Sequence, residues 1–179
     1  EDSQMSVIDY TYDNFDRLTE KVISMSSMVD LTEEYEYYTY QATVEKDGET
    51  VTENHTTSLV SEITLSAANS NDELIYSYTY DNLGNIKTVS IYGILVESYE
   101  YDSLGQLIRE NNVFEDYTKL YQYDQAGNIR YTSVMPYTSA STANIAFAEG
   151  SILSYGYSTS SWGDLLTSYG GTSISYDAI

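Results

Sequence analysis

The chain has no cysteine, so no disulfide framework can be built, and cysteine usage says nothing about compartment. His55 is the only histidine, and any Ser/His/Asp arrangement would have to be built on it. Basic residues are scarce: 7 Lys and Arg stand against 28 Asp and Glu, a formal net charge of −21. Such a surface repels nucleic acid and acidic membranes; nucleic acid is excluded as a partner, and no membrane insertion is expected. No apolar run approaches the roughly 18 residues of a membrane-spanning helix. The stretch from Glu1 shows neither the charged nor the apolar region of a secretory leader. Helical spacing of apolar side chains is missing throughout, so helix is expected to be nearly absent.

What is abundant is tyrosine, 21 residues, and many of them recur at fixed offsets. The stretch Tyr78-Thr79-Tyr80-Asp81-Asn82-Leu83-Gly84-Asn85-Ile86 has three further copies, placing Tyr12-Asp13, Tyr101-Asp102 and Tyr123-Asp124 in register with Tyr80-Asp81. With the tyrosine before Asp as position zero, all four carry Tyr at −2 and 0, Asp at +1, an apolar residue or Ala at +3, and Leu or Ile at +6. Gly84, Gly105 and Gly127 occupy +4, where the first copy has Asp16. Tyr-x-Tyr puts both rings on one face of a strand, and Asp followed three residues later by Gly marks a type I turn. The spacing predicts a hairpin with the +4 residue in the left-handed region, Asp facing +5, and Tyr80, Tyr101 and Tyr123 opposite Ile86, Leu107 and Ile129. Asp tolerates that conformation at small cost.

The pattern resembles the YD-repeat proteins, which include bacterial Rhs and wall-associated proteins, the C subunits of insecticidal toxin complexes and the animal teneurins. Two degenerate copies add to the resemblance: Tyr155-Gly156-Tyr157 followed by Trp162-Gly163-Asp164, and Ile174-Ser175-Tyr176-Asp177-Ala178-Ile179, which stops before its glycine. The resemblance implies a ribbon of hairpins that, when long, winds into a hollow shell. In Rhs-type and toxin-complex proteins the shell encloses a toxic C-terminal domain, and in teneurins it belongs to an adhesion ectodomain.

The expected fold is all-β: one domain over 1–179, a ribbon of consecutive antiparallel hairpins forming a curved, twisted sheet, a partial shell too short to close. Repeats are expected near 8–22, 75–91, 96–113, 118–134, 155–169 and 174–179. Between them, 35–80 is expected to hold two hairpins without the motif. One turns at Asp47-Gly48, with Tyr40 opposite His55 and Val44 opposite Val51. The other pairs Leu59–Leu65 with Leu74–Tyr80. Residues 136–150 read as a long loop with one apolar island, Ile145-Ala146-Phe147-Ala148.

The search for chemistry is short. His55 reads as one position on a hairpin face, and the recurrent Asp already has a turn role. Asn71-Asp72-Glu73 and Glu33-Glu34 read as solvent-facing acids, and the calcium loop of EF-hand proteins is absent. Asn54-His55-Thr56 is a glycosylation acceptor by sequence alone. Arg17, Lys87, Arg109 and Arg130 recur on the second strands, where they relieve repulsion from acids of the first strand. No catalytic residue, cofactor or metal is expected. The tyrosines are expected to pack hairpin on hairpin, with sugar or peptide stacking as the competing use. The chain is therefore expected to be a non-enzymatic segment of a larger secreted or cell-surface protein, of bacterial type, whose partner is the rest of its own polypeptide, a C-terminal toxin domain included. The alternative is an adhesive module that grips a cell-wall glycan or a surface protein.

Overall fold

The computed structural model describes residues 6–25, 30–147, 150–159 and 163–177. Ala148, Trp162, Ala178 and Ile179, which the sequence reading assigns to the 136–150 loop and the last two repeats, lie outside the described residues. The chain is all-β and antiparallel, with no α-helix among the described residues. It divides into two compact units, Glu1–Ile94 and Leu95–Ile179.

The first unit contains β1 (Ser6–Tyr12), β2 (Leu18–Met25), β3 (Leu31–Lys46), β4 (Glu49–Ala67), β5 (Glu73–Tyr80) and β6 (Ile86–Ile91). The second contains β7 (Ile94–Tyr101) from Leu95 onward, β8 (Leu107–Asn112), β9 (Tyr117–Tyr123), β10 (Ile129–Pro136), β11 (Ser151–Tyr157), β12 (Leu166–Tyr169) and β13 (Thr172–Ser173). Within each unit every strand lies beside its neighbour in the chain. Tyr, Thr, Val and Ile dominate these segments because branched and aromatic side chains fit a pleated, half-buried surface. The one proline, Pro136, is the last residue of β10, where its missing N–H interrupts the ladder least.

The gap between Tyr12 and Tyr80 contains both expected pairings in a different connectivity. Tyr40 faces His55, Ala42 faces Glu53 and Val44 faces Val51, around a turn in which Asp47 and Gly48 have φ of 53° and 82°. Both values are positive, as the type I′ hairpin requires. Glu62–Ser66 pairs with Glu73–Ser77. But 49–67 is one continuous strand, and the start of β3, Leu31–Glu36, returns to pair with Glu62–Ala67. The region is thus built from three strands rather than four.

Burial differs between the units. In the first, no described residue is fully buried, so its strands are held chiefly by their lateral neighbours, as in other repeat architectures. In the second, one face of β8, β9 and β10 is buried: Arg109, Asn111, Thr118, Leu120, Ser133 and Met135 are each at most 8 % exposed. Residues 137–147 lie over that face and include a short 3-10 turn, Thr142–Asn144. Thr138 donates its backbone N–H to Thr118 Oγ1 at 3.0 Å, and Tyr137 donates its own to the Asp116 carbonyl at 3.2 Å.

Candidate functional site

The recurrent turns share one geometry. Asp81 Oδ1 accepts the backbone N–H groups of Leu83 and Asn85 at 2.8 and 2.9 Å, and Oδ2 accepts Asn85 Nδ2 at 2.9 Å. Asp124 does the same with Ala126 and Asn128, and Asp102 Oδ1 with Leu104 and Gln106. In the first copy Asp13 accepts Phe15 and Arg17 N–H, while the Arg17 side chain replaces the amide. A carboxylate that collects donors in this way is favoured in its ionised form. Hydrogen bonds from the Asn85 and Arg17 side chains chiefly hold Asp81 and Asp13 below the usual carboxylate range, and the Asn128 backbone N–H does so for Asp124. Gly84, Gly105 and Gly127 have φ of 86°, 76° and 89°, and Asp16 in the equivalent place has 57°. Gly163 does not share this conformation: its φ lies outside the left-handed region.

Each turn is followed by the same bulge. Thr79 faces Thr88 while Tyr80 faces Ile86, which leaves Lys87 without an opposite residue. Tyr12 faces Leu18, Tyr101 faces Leu107, Tyr123 faces Ile129 and Tyr157 faces Leu166 with the same one-residue shift. A bulge of this kind interrupts the ladder locally, and the tyrosine of the following hairpin supplies a donor at that point. Tyr80 Oη donates to the Val60 carbonyl at 2.8 Å, Tyr123 to Leu107 at 2.7 Å, Tyr157 to Ile129 at 3.0 Å and Tyr176 to Leu166 at 2.8 Å.

This bonding reveals a repeat that the turn motif does not mark. Tyr37 faces Val60 with a shift at Glu36, and its hydroxyl donates to the Leu18 carbonyl at 2.7 Å. Tyr37 is therefore a position-zero tyrosine and Val60 its +6 partner. Residues 38–59 stand where 81–85 stand in the regular hairpin, so the turn has been replaced by a two-stranded arm. The sequence signal was Tyr35-x-Tyr37 without a following Asp-x-x-Gly. Arg17 ties the first turn to the base of this arm: Nη1 donates to Thr56 Oγ1 at 2.6 Å and to the Thr57 carbonyl, Nη2 pairs with Asp13 Oδ2 at 2.6 Å, and the guanidinium lies 4.2 Å from the Tyr37 ring centroid.

Three of the tyrosines at −2, Tyr35, Tyr99 and Tyr121, point their hydroxyls at carboxylates instead. Tyr35 donates to Glu33 Oε2 at 2.7 Å, Tyr99 to Glu97, and Tyr121 to Glu110 Oε2 at 2.6 Å, where Tyr117 donates to Oε1. Desolvation first, and then the Glu33 hydrogen bond, push the Tyr35 phenol up to about 12. Tyr99 and Tyr121 are raised by the same two causes, and Tyr117 chiefly by its bond to Glu110. These phenols stay protonated at neutral pH as donors. Lys119 Nζ sits 5.1 Å from the Tyr121 ring centroid, and Lys21 pairs with Glu33 at 3.1 Å.

Of the recurrent cations, Arg109 is not on the surface. Its guanidinium is almost wholly enclosed, with Glu100 Oε1 at 3.2 Å and the carbonyls of Ala140 and Thr138 at 2.6 and 2.5 Å. No local motif announces this, because the 137–147 segment that covers it has no periodicity. His55 stacks on Tyr40 with centroids 5.3 Å apart, and its Nε2 has no hydrogen-bond partner and stands 3.8 Å from Glu53 Oε2. Among the described residues no group of three His, Cys, Asp or Glu could hold a metal ion. No protein-family model and no curated protein sequence matches the chain.

Proposed function

We propose that the chain is a non-enzymatic structural repeat segment of a larger secreted or cell-surface polypeptide, similar to bacterial YD-repeat and Rhs proteins. In it, a curved ribbon of hairpins acts as scaffold or shell for toxin carriage or for contact between cells. The observation that carries this reading is where the tyrosine hydroxyls go. Tyr37, Tyr80, Tyr123, Tyr157 and Tyr176 at position zero donate to the neighbouring hairpin's backbone, and Tyr35, Tyr99 and Tyr121 at −2 donate to carboxylates. A sugar-binding platform needs ring faces and free polar groups, whereas at these eight tyrosines the polar ends are engaged in internal bonds. The remaining partner is the rest of the polypeptide, and a net charge of −21 keeps nucleic acid away.

One observation favours the adhesive alternative. The apolar residues at +3 are solvent-facing at the turn tips: Phe15 is 70 % exposed, Leu83 75 % and Leu104 81 %. Apolar groups in that position suit contact with a surface protein. A glycan array and a surface-protein pull-down with the chain decide between the readings. The scaffold reading expects no saturable binding on either; binding that disappears in Phe15→Ser, Leu83→Ser and Leu104→Ser variants of unchanged stability would replace it with the adhesive one.

A further inference from the structure

The base of the arm is flanked by two turn aspartates of the first unit, and only one of them has a cation. On one side the Arg17 guanidinium pairs with Asp13 Oδ2 at 2.6 Å, donates to Thr56 Oγ1 at 2.6 Å and to the Thr57 carbonyl, and lies 4.2 Å from the Tyr37 ring centroid. On the other side stands Asp81, whose turn has the neutral Asn85 in the place of Arg17. Among the described residues Asp81 forms no ion pair. Its carboxylate is not saturated either. Of about four acceptor positions three are used, by the N–H groups of Leu83 and Asn85 and by Asn85 Nδ2.

Asp81 borders an open hollow of about 270 Å³ whose other walls are Tyr38, Leu59, Thr79 and Tyr80. The Tyr38 and Tyr80 rings meet edge to face, with centroids 5.8 Å apart and planes at 83°. Both hydroxyls are bonded away, Tyr38 to the Tyr78 carbonyl and Tyr80 to the Val60 carbonyl. The hollow therefore presents aromatic and aliphatic carbon with one carboxylate charge at its rim, in a volume that suits a side chain or a small molecule. A guanidinium matches that combination, because it is planar and weakly hydrated, stacks on aromatic rings and offers N–H donors to a carboxylate. An anion is repelled by Asp81 and by the net charge of −21.

We propose that this hollow is a binding site for the guanidinium group of an arginine ligand, with Asp81 as its charge partner and the Tyr38 and Tyr80 rings as its walls. Arg17, held by Asp13, the Tyr37 ring and the base of the arm, is the same combination satisfied from within the chain. The inference goes beyond the scaffold reading and does not rest on it, since the tyrosine hydroxyls keep their internal bonds when the hollow is filled.

The full chain is titrated with Nα-acetyl-arginine amide and with Nα-acetyl-citrulline amide, which has a neutral urea of the same shape, and binding is followed by calorimetry and by backbone amide chemical shifts. The arginine compound is expected to bind saturably, with a dissociation constant on the order of 1 mM at low salt. The citrulline compound should bind about tenfold more weakly or not at all. Shifts should centre on Tyr38, Leu59 and residues 79–85. The peptide Gly-Gly-Arg-Gly-Gly, titrated in parallel, separates the two sources of a guanidinium: binding at least as tight assigns the hollow to an arginine within a chain, and binding of the amino-acid derivative alone assigns it to a small molecule. Asp81→Asn should weaken binding by about tenfold or more. Because that change touches the turn, a second variant, Asn85→Arg, rebuilds the pairing of Asp13 with Arg17 at Asp81 and should abolish binding in a chain that melts no lower than the parent. No binding of the arginine compound, equal binding of the citrulline compound, or binding retained in Asn85→Arg overturns the proposal. So do shifts that rise without saturation and spread equally over the turns at Asp102 and Asp124, since that is a cation gathering on an acidic chain.

Discussion

Removing Arg109 should undo the second unit from its covered face. The guanidinium is 3 % exposed and donates from Nε to Asn111 Oδ1 at 3.0 Å, from Nη1 to Glu100, to Thr142 Oγ1 and to the Ala140 carbonyl, and from Nη2 to the Thr138 carbonyl. Arg109→Ala leaves the Thr138 and Ala140 carbonyls without their donor, facing a void beneath residues 137–147, while Asn111 Oδ1 keeps the Thr118 hydroxyl at 2.7 Å. Each buried acceptor left without a donor costs about 1–3 kcal/mol. Glu100 is 47 % exposed and rehydrates, so its loss of a partner adds little. Water entering the void recovers part of the rest, which places the expected loss at about 3–5 kcal/mol, the range for breaking a buried charged contact on one side. Urea unfolding monitored by far-UV circular dichroism reads the loss, and hydrogen exchange locates it at 137–147. Arg109→Lys should fall between, since an ammonium cannot reach both carbonyls and Asn111 at once. Glu100→Gln should cost less than about 1 kcal/mol, because the backbone carbonyls rather than the half-exposed carboxylate anchor the cation. Lys87→Ala, on an exposed position of β6, serves as control and should stay within about 0.5 kcal/mol. A loss below about 1 kcal/mol for Arg109→Ala, or unchanged exchange at Thr138–Ala140, would refute the assignment of Arg109 as the pin of that segment.

Three further outcomes can be checked on the same chain. Gly105→Val should destabilise by more than about 1 kcal/mol in urea unfolding, because φ is 76° although a Cβ there meets no neighbour within 4 Å; Asp16→Gly should stabilise by up to about 1 kcal/mol for the converse reason. Tyr123→Phe should cost about 1 kcal/mol by removing the donor to the Leu107 carbonyl without changing ring packing; no measurable loss would mean that the hydroxyl bond is replaced by water. Asp81 and Asp124 have folded pKa values lowered below 3.8, so the stability they contribute is present above that value and is lost as pH falls through the lowered ones. The difference in melting temperature between the parent and Asp81→Ala should be constant above about pH 5 and shrink below 3.8, whereas a difference that persists to pH 2 would assign the effect to packing.

The turns were legible in the sequence because their chemistry is local. An Asp that accepts the N–H groups two and four residues on, and a residue of positive φ at +4, are set by one short segment, and the register of Tyr80 with Ile86 follows from them. The Asp47-Gly48 arm was legible for the same reason. The repeat at Tyr37 was not, because its turn had been replaced by the arm, and what identifies it is a hydroxyl bond to Leu18, a contact between hairpins. The burial of Arg109 was likewise invisible: like Arg17, Lys87 and Arg130 it follows its tyrosine on the second strand, and its covering segment lies some thirty residues further on in the chain. Periodicity reads a strand's two faces, but it does not say which face something else will cover.

Tyrosine rather than phenylalanine at position zero is what makes the turn dispensable. With a phenyl ring, lateral register would depend on ladder bonds that the bulge interrupts and on the turn that sets the hairpin. A phenol adds a directed bond from each hairpin to a fixed carbonyl of the one before, at the residue opposite the previous tyrosine. Register between hairpins is then carried from Tyr12–Leu18 to Tyr37–Val60 to Tyr80–Ile86, and in the second unit from Tyr101–Leu107 through Tyr123–Ile129 to Tyr157–Leu166, by bonds that do not involve the turns, while each regular turn sets the register within its own hairpin. The segments in between accordingly differ: the tight turn 81–85, the longer 158–165 that ends with Ser158 N–H donating to the Leu165 carbonyl at 2.8 Å, and the arm 38–59. A ribbon with this division of labour can lengthen or replace its turns without slipping a strand. New surface is therefore added to it at the turns, while the tyrosine rows stay constant.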